Sequence, residues 1–197
     1  MKTNSNNQKM MLMAGLVALS SSVFSLSADA TAMIDDFTAS ANTHYGQPRQ
    51  YLNDSMAGGA TQDSHSVKNG ILQVTGTITP PRGQPGWSST VLPLAALGQA
   101  KDVSEFEGIK LRLRISQGNI NLSANSLDIT NFDFHASPVV VKTDGKFHEV
   151  KIPFKEMKRA WSAQTPLNTT NLTSLSIVAY SLQPAAFDYE IDAVSFY

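Results

Sequence analysis

Three groups of residues have the types and spacing that chemistry would need. The first is Asn53-Asp54-Ser55-Met56-Ala57-Gly58-Gly59. Its amide and carboxylate can grip a ligand while the glycines let the backbone come close. The same residues also suit a tight turn in which Asn53 and Asp54 satisfy their own backbone. The second group is Asp35, Asp36 and Asp192, which meet if the first and last strands pair. Carboxylates with backbone carbonyls would suit a structural Ca²⁺ at that corner, the alternative being ordinary turn or bulge acids, and no other cofactor is expected. The third group is Arg112, Arg114, Asn121, Ser123, Asp133 and His135, read as the solvent side of adjacent strands. Such a face would bind a sugar through bidentate hydrogen bonds, with Trp87 or Trp161 as a stacking platform. The alternative is a solvated sheet with Arg–Asp cross-strand pairs, and Trp161 as a core anchor on a helix face. The histidines His44, His65, His135 and His148 lack metal-ligand spacing, and no G-x-S-x-G, H-E-x-x-H, P-loop or dinucleotide pattern occurs. A non-enzymatic protein is therefore expected.

The elements that must position these groups read as strands. Ile109, Leu111, Leu113 and Ile115 alternate with Lys110, Arg112 and Arg114, the pattern of a strand with one wet face. Further strands are expected at Met33 to Phe37, Ile71 to Ile78, Trp87 to Leu92, Ile120 to Asn125, Asn131 to His135 (aromatics inward), Phe147 to Ile152 and Leu175 to Tyr180. Residues 38–69 read as a long polar loop. In the last strand, Phe187, Tyr189 and Ile191 share a face, while Val194 and Phe196 fall out of phase. A bulge near Asp192-Ala193 would return all five to the core. Pro153 opens the one expected helix, near 153–161, with Phe154, Met157 and Trp161 on one face. The expected fold class is therefore all-β: an antiparallel β-sandwich of the jelly-roll kind with one short helix.

Composition bounds the rest. The 197 residues carry 15 basic and 16 acidic side chains and no cysteine. Residues 1–30 read as a signal peptide: Lys2 and Lys9, an apolar run from Met10 to Leu26, then Ala28-Asp29-Ala30. Cleavage near Ala30 predicts an exported protein, periplasmic or secreted, with residues 31–197 as a single domain. About 167 residues suffice to bury roughly 70% of the unfolded surface without disulfides. A near-neutral balance offers no electrostatic case for nucleic acid, and no membrane insertion is expected of the mature chain.

With the segments in order, the chain resembles the complex I intermediate-associated protein 30 family, jelly-roll domains of the galactose-binding-like kind. The resemblance rests on Ile34-Asp35-Asp36-Phe37, Leu52 to Gly59, Gly86-Trp87-Ser88-Ser89, Val103 to Ile109, Val150 to Phe154 and Phe187 to Tyr197. The best-known members of that family are assembly chaperones for respiratory complex I. The resemblance thus implies a non-catalytic domain that binds a protein partner in an assembly or chaperone-like role. The alternative is a carbohydrate-binding module acting on extracytoplasmic glycans. An exposed apolar patch would mark the first, and a polar groove with an exposed aromatic the second.

Overall fold

The computed structural model describes Met1 and residues 32–197. The expected signal peptide lies, apart from Met1, outside the described residues. Two antiparallel sheets face each other. The strands are β1 (Ala32–Asp35), β2 (Gln50–Asn53), β3 (Gln62–Lys68), β4 (Ile71–Ile78), β5 (Gly86–Pro93), β6 (Gly108–Gln117), β7 (Asn119–Ser126), β8 (His135–Pro138), β9 (His148–Pro153), β10 (Leu172–Ser181) and β11 (Ala185–Phe196). One sheet runs β3-β4-β11-β6-β9, with β1 added on β11; the other runs β2-β5-β10-β7-β8. Among the described residues no helix is long and apolar enough to cross a membrane.

The alternation at β6 fixes the core. Ile109, Leu111 and Leu113 are fully buried and face Leu122, Leu175 and Ile177 of the second sheet within one hydrophobic cluster. The last strand shifts register between Ile191 and Ala193, where Ile191 opposes Leu113 and Ala193 opposes Arg112. That bulge sits where the period broke, and it returns Phe187, Tyr189, Ile191, Val194 and Phe196 to the core. At the opposite layer Thr90 and the fully buried Tyr189 share a hydrogen bond of 3.2 Å. Burial drives the Tyr189 phenol well above its usual range, so it stays neutral and tied to the facing sheet.

Three expectations are corrected. Residues 38–69 are not one loop: β2 and β3 lie within them, each on the edge of its sheet. Their mostly exposed, polar residues (Gln62, Ser64, His65, Ser66) hid the strand signal. The helix near 153–161 is a single 3₁₀ turn, Phe154–Glu156. Beyond it Met157 is extended, and Lys158 exchanges backbone hydrogen bonds of 2.9 Å with Ala136. Two turns of helix are marginal alone, and pairing to a sheet edge wins. Phe154 and Met157 are buried as expected, but Trp161 is 71% exposed and anchors nothing. Finally, residues 131–134 form no strand, and their sidedness is inverted. Asp133 and His135 are buried, while Phe132 is 80% exposed at φ +62°.

Between β1 and β2 the chain is held by a buried ion pair. Arg49 Nε and Nη2 donate to Asp35 Oδ2 and Oδ1 at 2.6 and 2.8 Å, and both side chains are 1% exposed. Nη1 and Nη2 also reach the Ala39 carbonyl at 3.0 Å, and the guanidinium lies 5.0 Å from the Phe37 ring centroid. A lysine keeps the charge but not the parallel fork. Arg49→Lys is expected to cost about 1–2 kcal/mol, measured as a lower denaturant midpoint with unchanged slope.

Candidate functional site

Outward from the core, the two sheets present very different faces. On β6, β9 and β11 the outer face is charged. Arg112 pairs with Asp192 and Arg114 with Glu190, while Lys110 reaches Glu149 at 3.8 Å. Both guanidiniums stand over the Phe147 ring, 5.3 and 5.0 Å from its centroid. Arg114 also donates to the Gly145 carbonyl at 3.1 Å. Their donors are thus committed to cross-strand acids, the arrangement of a solvated sheet. A depression of about 210 Å³ beside them, lined by Met33, Ala193 and Ser195 as well as Lys110, exists because small side chains follow the bulge.

The expected single face does not form. Consecutive strands β6 and β7 belong to different sheets, because the chain crosses between layers at Gly118 (φ +96°). Arg112 and Arg114 therefore lie on one side of the molecule, and Asn121 and Ser123 on the other.

That other side is the outer face of β2-β5-β10-β7-β8. The register sets it out in rows. Trp87 of β5 opposes Tyr180 of β10, which opposes Asn119 of β7. The next row is Leu52, Ser89, Val178, Asn121 and Pro138; then come Gln50, Val91, Ser176, Ser123 and Ala136; the last holds Pro93, Ser174 and Asn125. The intervening residues, such as Leu92, Leu122, Leu175 and Ile177, fill the core, so these rows point outward. Ser89, Ser174, Ser176 and Asn125 are nonetheless buried, while Leu52, Trp87, Val91, Asn121, Val178 and Tyr180 are half-buried. Short side chains shaded by taller neighbours make a trough. It extends about 20 Å from Asn119 to Asn125 at the ordinary strand rise.

The trough floor is rich in hydrogen-bonding groups. Asn125 Nδ2 donates to Ser174 Oγ at 2.9 Å and Ser176 Oγ at 2.8 Å. The Oδ1 atoms of Asn121 and Asn125 have no protein partner. Both oxygens are themselves buried, so the polar surface open to a ligand is the exposed part of Asn119, Asn121 and Ser123. Beside them, Trp87 and Tyr180 supply two adjacent aromatic rings.

The Asn53–Gly59 motif holds this platform in place rather than lining it. Asn53 Oδ1 accepts from Ser55 N–H and Oγ at 3.1 and 2.6 Å, as in the turn reading. Asp54 is fully buried in a 3₁₀ turn, Asp54–Ala57. Its carboxylate accepts from Thr61 N–H (3.0 Å), Thr61 Oγ1 (2.8 Å) and Trp87 N–H (3.0 Å). Gly59 is required there, since a Cβ would lie 2.2 Å from the Asp54 carboxyl carbon. Asp54 thus ties the loop to the strand that carries Trp87.

Asp133 plays a comparable part elsewhere. Its oxygens accept backbone N–H bonds from Ala160 (2.7 Å), Trp161 (3.1 Å) and Ser162 (2.6 Å). Arg159 Nε donates to its carbonyl at 3.1 Å and Nη2 to Asn131 Oδ1 at 3.2 Å. These bonds lock two loops together and display Phe132 and Trp161. His135 faces the interior and donates through Nε2 to the Thr165 carbonyl at 2.7 Å. It borders a polar depression of about 260 Å³ with Ser126, Asp128 and Asn168.

Burial alone would raise the Asp133 carboxyl, but the bonds from Ser162, Ala160 and Trp161 outweigh it and hold it below the ordinary value. A depressed carboxyl stabilises the fold above the unfolded pKa, about 3.9, and loses that contribution as pH falls through the folded value. Asp133→Asn is therefore expected to lower Tm at neutral pH, with the gap to the parent chain closing below about pH 4. Thermal melts at stepped pH check this; a gap that widens in acid would contradict it.

The three acids do not converge. β1 and β11 do pair, but Asp35 turns inward to Arg49, Asp36 accepts from Thr38 and faces His44 at 3.0 Å, and Asp192 pairs with Arg112. Among the described residues no group of three His, Cys, Asp or Glu could hold a metal ion. The residues that period-two reading passed over are Tyr180, Ser174, Ser176 and Asn125. Their signal was present: Ser174, Ser176, Val178 and Tyr180 alternate with Leu175, Ile177 and Ala179.

Comparison with known proteins agrees with this architecture. The model of the family described as complex I intermediate-associated protein 30 matches residues 36–191. No curated protein matches the chain. Among solved structures, the family 11 carbohydrate-binding module of the cellulosomal cellulase Lic26A-Cel5E of Clostridium thermocellum superposes with a TM-score of 0.61 at 17% identity, covering 86% of this chain and 95% of that one. The family 11 module from Clostridium thermocellum in complex with a β-1,3-1,4-mixed-linked tetrasaccharide gives 0.58 at 18%, covering 86% and 96%. The family 30 module of cellulase Cel9D-Cel44B of that organism gives 0.50 at 13%, covering 85% and 97%. At these identities the likeness is one of fold.

Proposed function

The chain belongs to the complex I intermediate-associated protein 30 family, and from that premise we propose that it is a non-catalytic binding domain whose ligand is a glycan. The observation that carries this is the trough on the five-stranded sheet. Trp87 and Tyr180 stand side by side, next to the Asn119, Asn121, Ser123, Asn125, Ser174 and Ser176 ladder. Sugars present apolar C–H faces and a fringe of hydroxyls, which match an aromatic platform and amide and hydroxyl partners. The carbohydrate-binding modules of like fold lend support by analogy.

A protein partner, in an assembly or chaperone-like role, is the second reading. It is favoured by the family's description and by Phe132 and Trp161, held open to solvent on loops locked by Asp133. Phe132 pays for that display with a left-handed backbone, a conformation bulky residues seldom adopt away from functional sites. Export through the Met10 to Leu26 segment, with cleavage near Ala30, belongs to the proposal. Cell fractionation with N-terminal sequencing tests it: recovery of the chain from the cytoplasm alone would refute export, and an intact Met1 on exported protein would refute the cleavage.

A glycan array probed with the purified protein tests the main reading. Binding to at least one glycan class is expected, and silence across every class would remove the glycan in favour of the protein partner.

A further inference from the structure

The charge of the chain is divided between its two faces, and that division says which glycans fit. On the six-stranded sheet the outward positions include Lys110, Arg112, Arg114, Glu149, Asp188, Glu190 and Asp192. On the trough the outward positions of all five strands, Gln50 and Leu52 through Ala136 and Pro138, hold no Asp, Glu, Lys, Arg or His. Charged residues make up 16% of the chain, so an outer sheet face without one is a departure from its own composition. Of the loop charges beside these strands, exposed Lys158 bridges to Ala136 at the β8 margin, Arg82 stands in the exposed turn before Trp87, and Lys101 holds its ammonium 4.5 Å from the Tyr45 ring centroid.

We infer that the trough selects neutral polysaccharides and excludes acidic ones; the inference rests on the proposed glycan site. Uronate and sulfate groups are strongly hydrated, and losing that water is repaid only by guanidinium or ammonium partners. The four rows of the trough offer none, Lys158 standing only at its margin beyond Ala136. Neutral hexoses and pentoses require what is there: dipoles, hydroxyls and two aromatic rings. A net charge of −1 adds no long-range pull on a polyanion. The arginines of the opposite face are already neutralised by Asp192 and Glu190, so they supply no second route.

The test is a paired panel of neutral polymers (mixed-linkage β-glucan, xylan, galactomannan, agarose) and acidic ones (polygalacturonate, alginate, heparin). Affinities are measured in about 0.1 M and about 1 M NaCl, across which the screening length falls from about 10 Å to about 3 Å. The expected result is binding within the neutral set, changing less than about twofold with salt and falling at least about tenfold in Trp87→Ala, with folding verified by melting. Binding confined to the acidic set, or lost more than about tenfold at high salt, overturns the neutral-ligand inference and leaves glycan binding standing. Absence of binding to both sets overturns the inference and the glycan reading together.

Discussion

Replacing Asp54 by alanine is expected to destabilise the domain by about 3–5 kcal/mol, because three buried donors lose one acceptor. Thr61 N–H, Thr61 Oγ1 and Trp87 N–H all converge on that carboxylate, and no part of Asp54 reaches solvent. An unpaired buried donor costs about 1–3 kcal/mol, more than the bond itself was worth. Against a total stability of about 5–15 kcal/mol the loss is a large fraction. For a chain of this size Tm should fall by about 10 °C or more. Asp54→Asn should recover only part of that, since its NH₂ group meets donors on one side. Gly59→Ala should resemble the alanine variant, because its Cβ enters the space of the Asp54 carboxyl group. A Tm change under about 2 °C for Asp54→Ala would show that the loop is not the clamp described.

Trp87→Ala should weaken glycan binding about 30-fold, the equivalent of about 2 kcal/mol for losing an aromatic contact surface. Tyr180→Ala should do somewhat less, and the double variant should bind below detection, because the rings are cross-strand neighbours serving one ligand. Isothermal titration reads the affinities directly. Trp87 is half-buried, so part of its loss will appear as stability; melting curves separate the two. The informative contrast is Arg112→Ala with Arg114→Ala on the opposite face, which should leave affinity within about twofold. If the arginine variants lose binding and the aromatic variants keep it, the site has been assigned to the wrong sheet.

What could be read from the residues alone was whatever one strand's own periodicity determines. Ile109 to Ile115 alternates without a break, and the phase slip after Ile191 can be mended only by a bulge, so both were legible. The companion of a strand is not local information. The segments before and after Gly118 read as adjacent strands, yet Gly118 passes the chain from one layer to the other, and this separated Arg112 from Asn121. At Phe132 the alternation pointed the wrong way because no strand forms there. The three N–H donors of residues 160–162 draw Asp133 inward and leave the phenylalanine outside. The 3₁₀ turn at Phe154 followed the same logic: Pro153 suited a helix start, but the Lys158–Ala136 bridge lies twenty-odd residues away in sequence and competes with the helix. Trp87 could be named from its type only as one candidate platform beside Trp161; its cross-strand neighbour Tyr180 required the register of β5 against β10.

The most direct measurement is a backbone amide NMR titration with a neutral oligosaccharide that the protein binds, supplemented by fluorescence of a Trp161→Phe variant in which Trp87 is the remaining tryptophan. Binding on the trough predicts shifts concentrated at Trp87, Ser89, Asn121, Ser123, Ser176 and Tyr180, with a change in Trp87 emission. Shifts gathered instead at Arg112, Arg114 and Glu190, or around Phe132 and residue 161, with Trp87 emission unaltered, would contradict it.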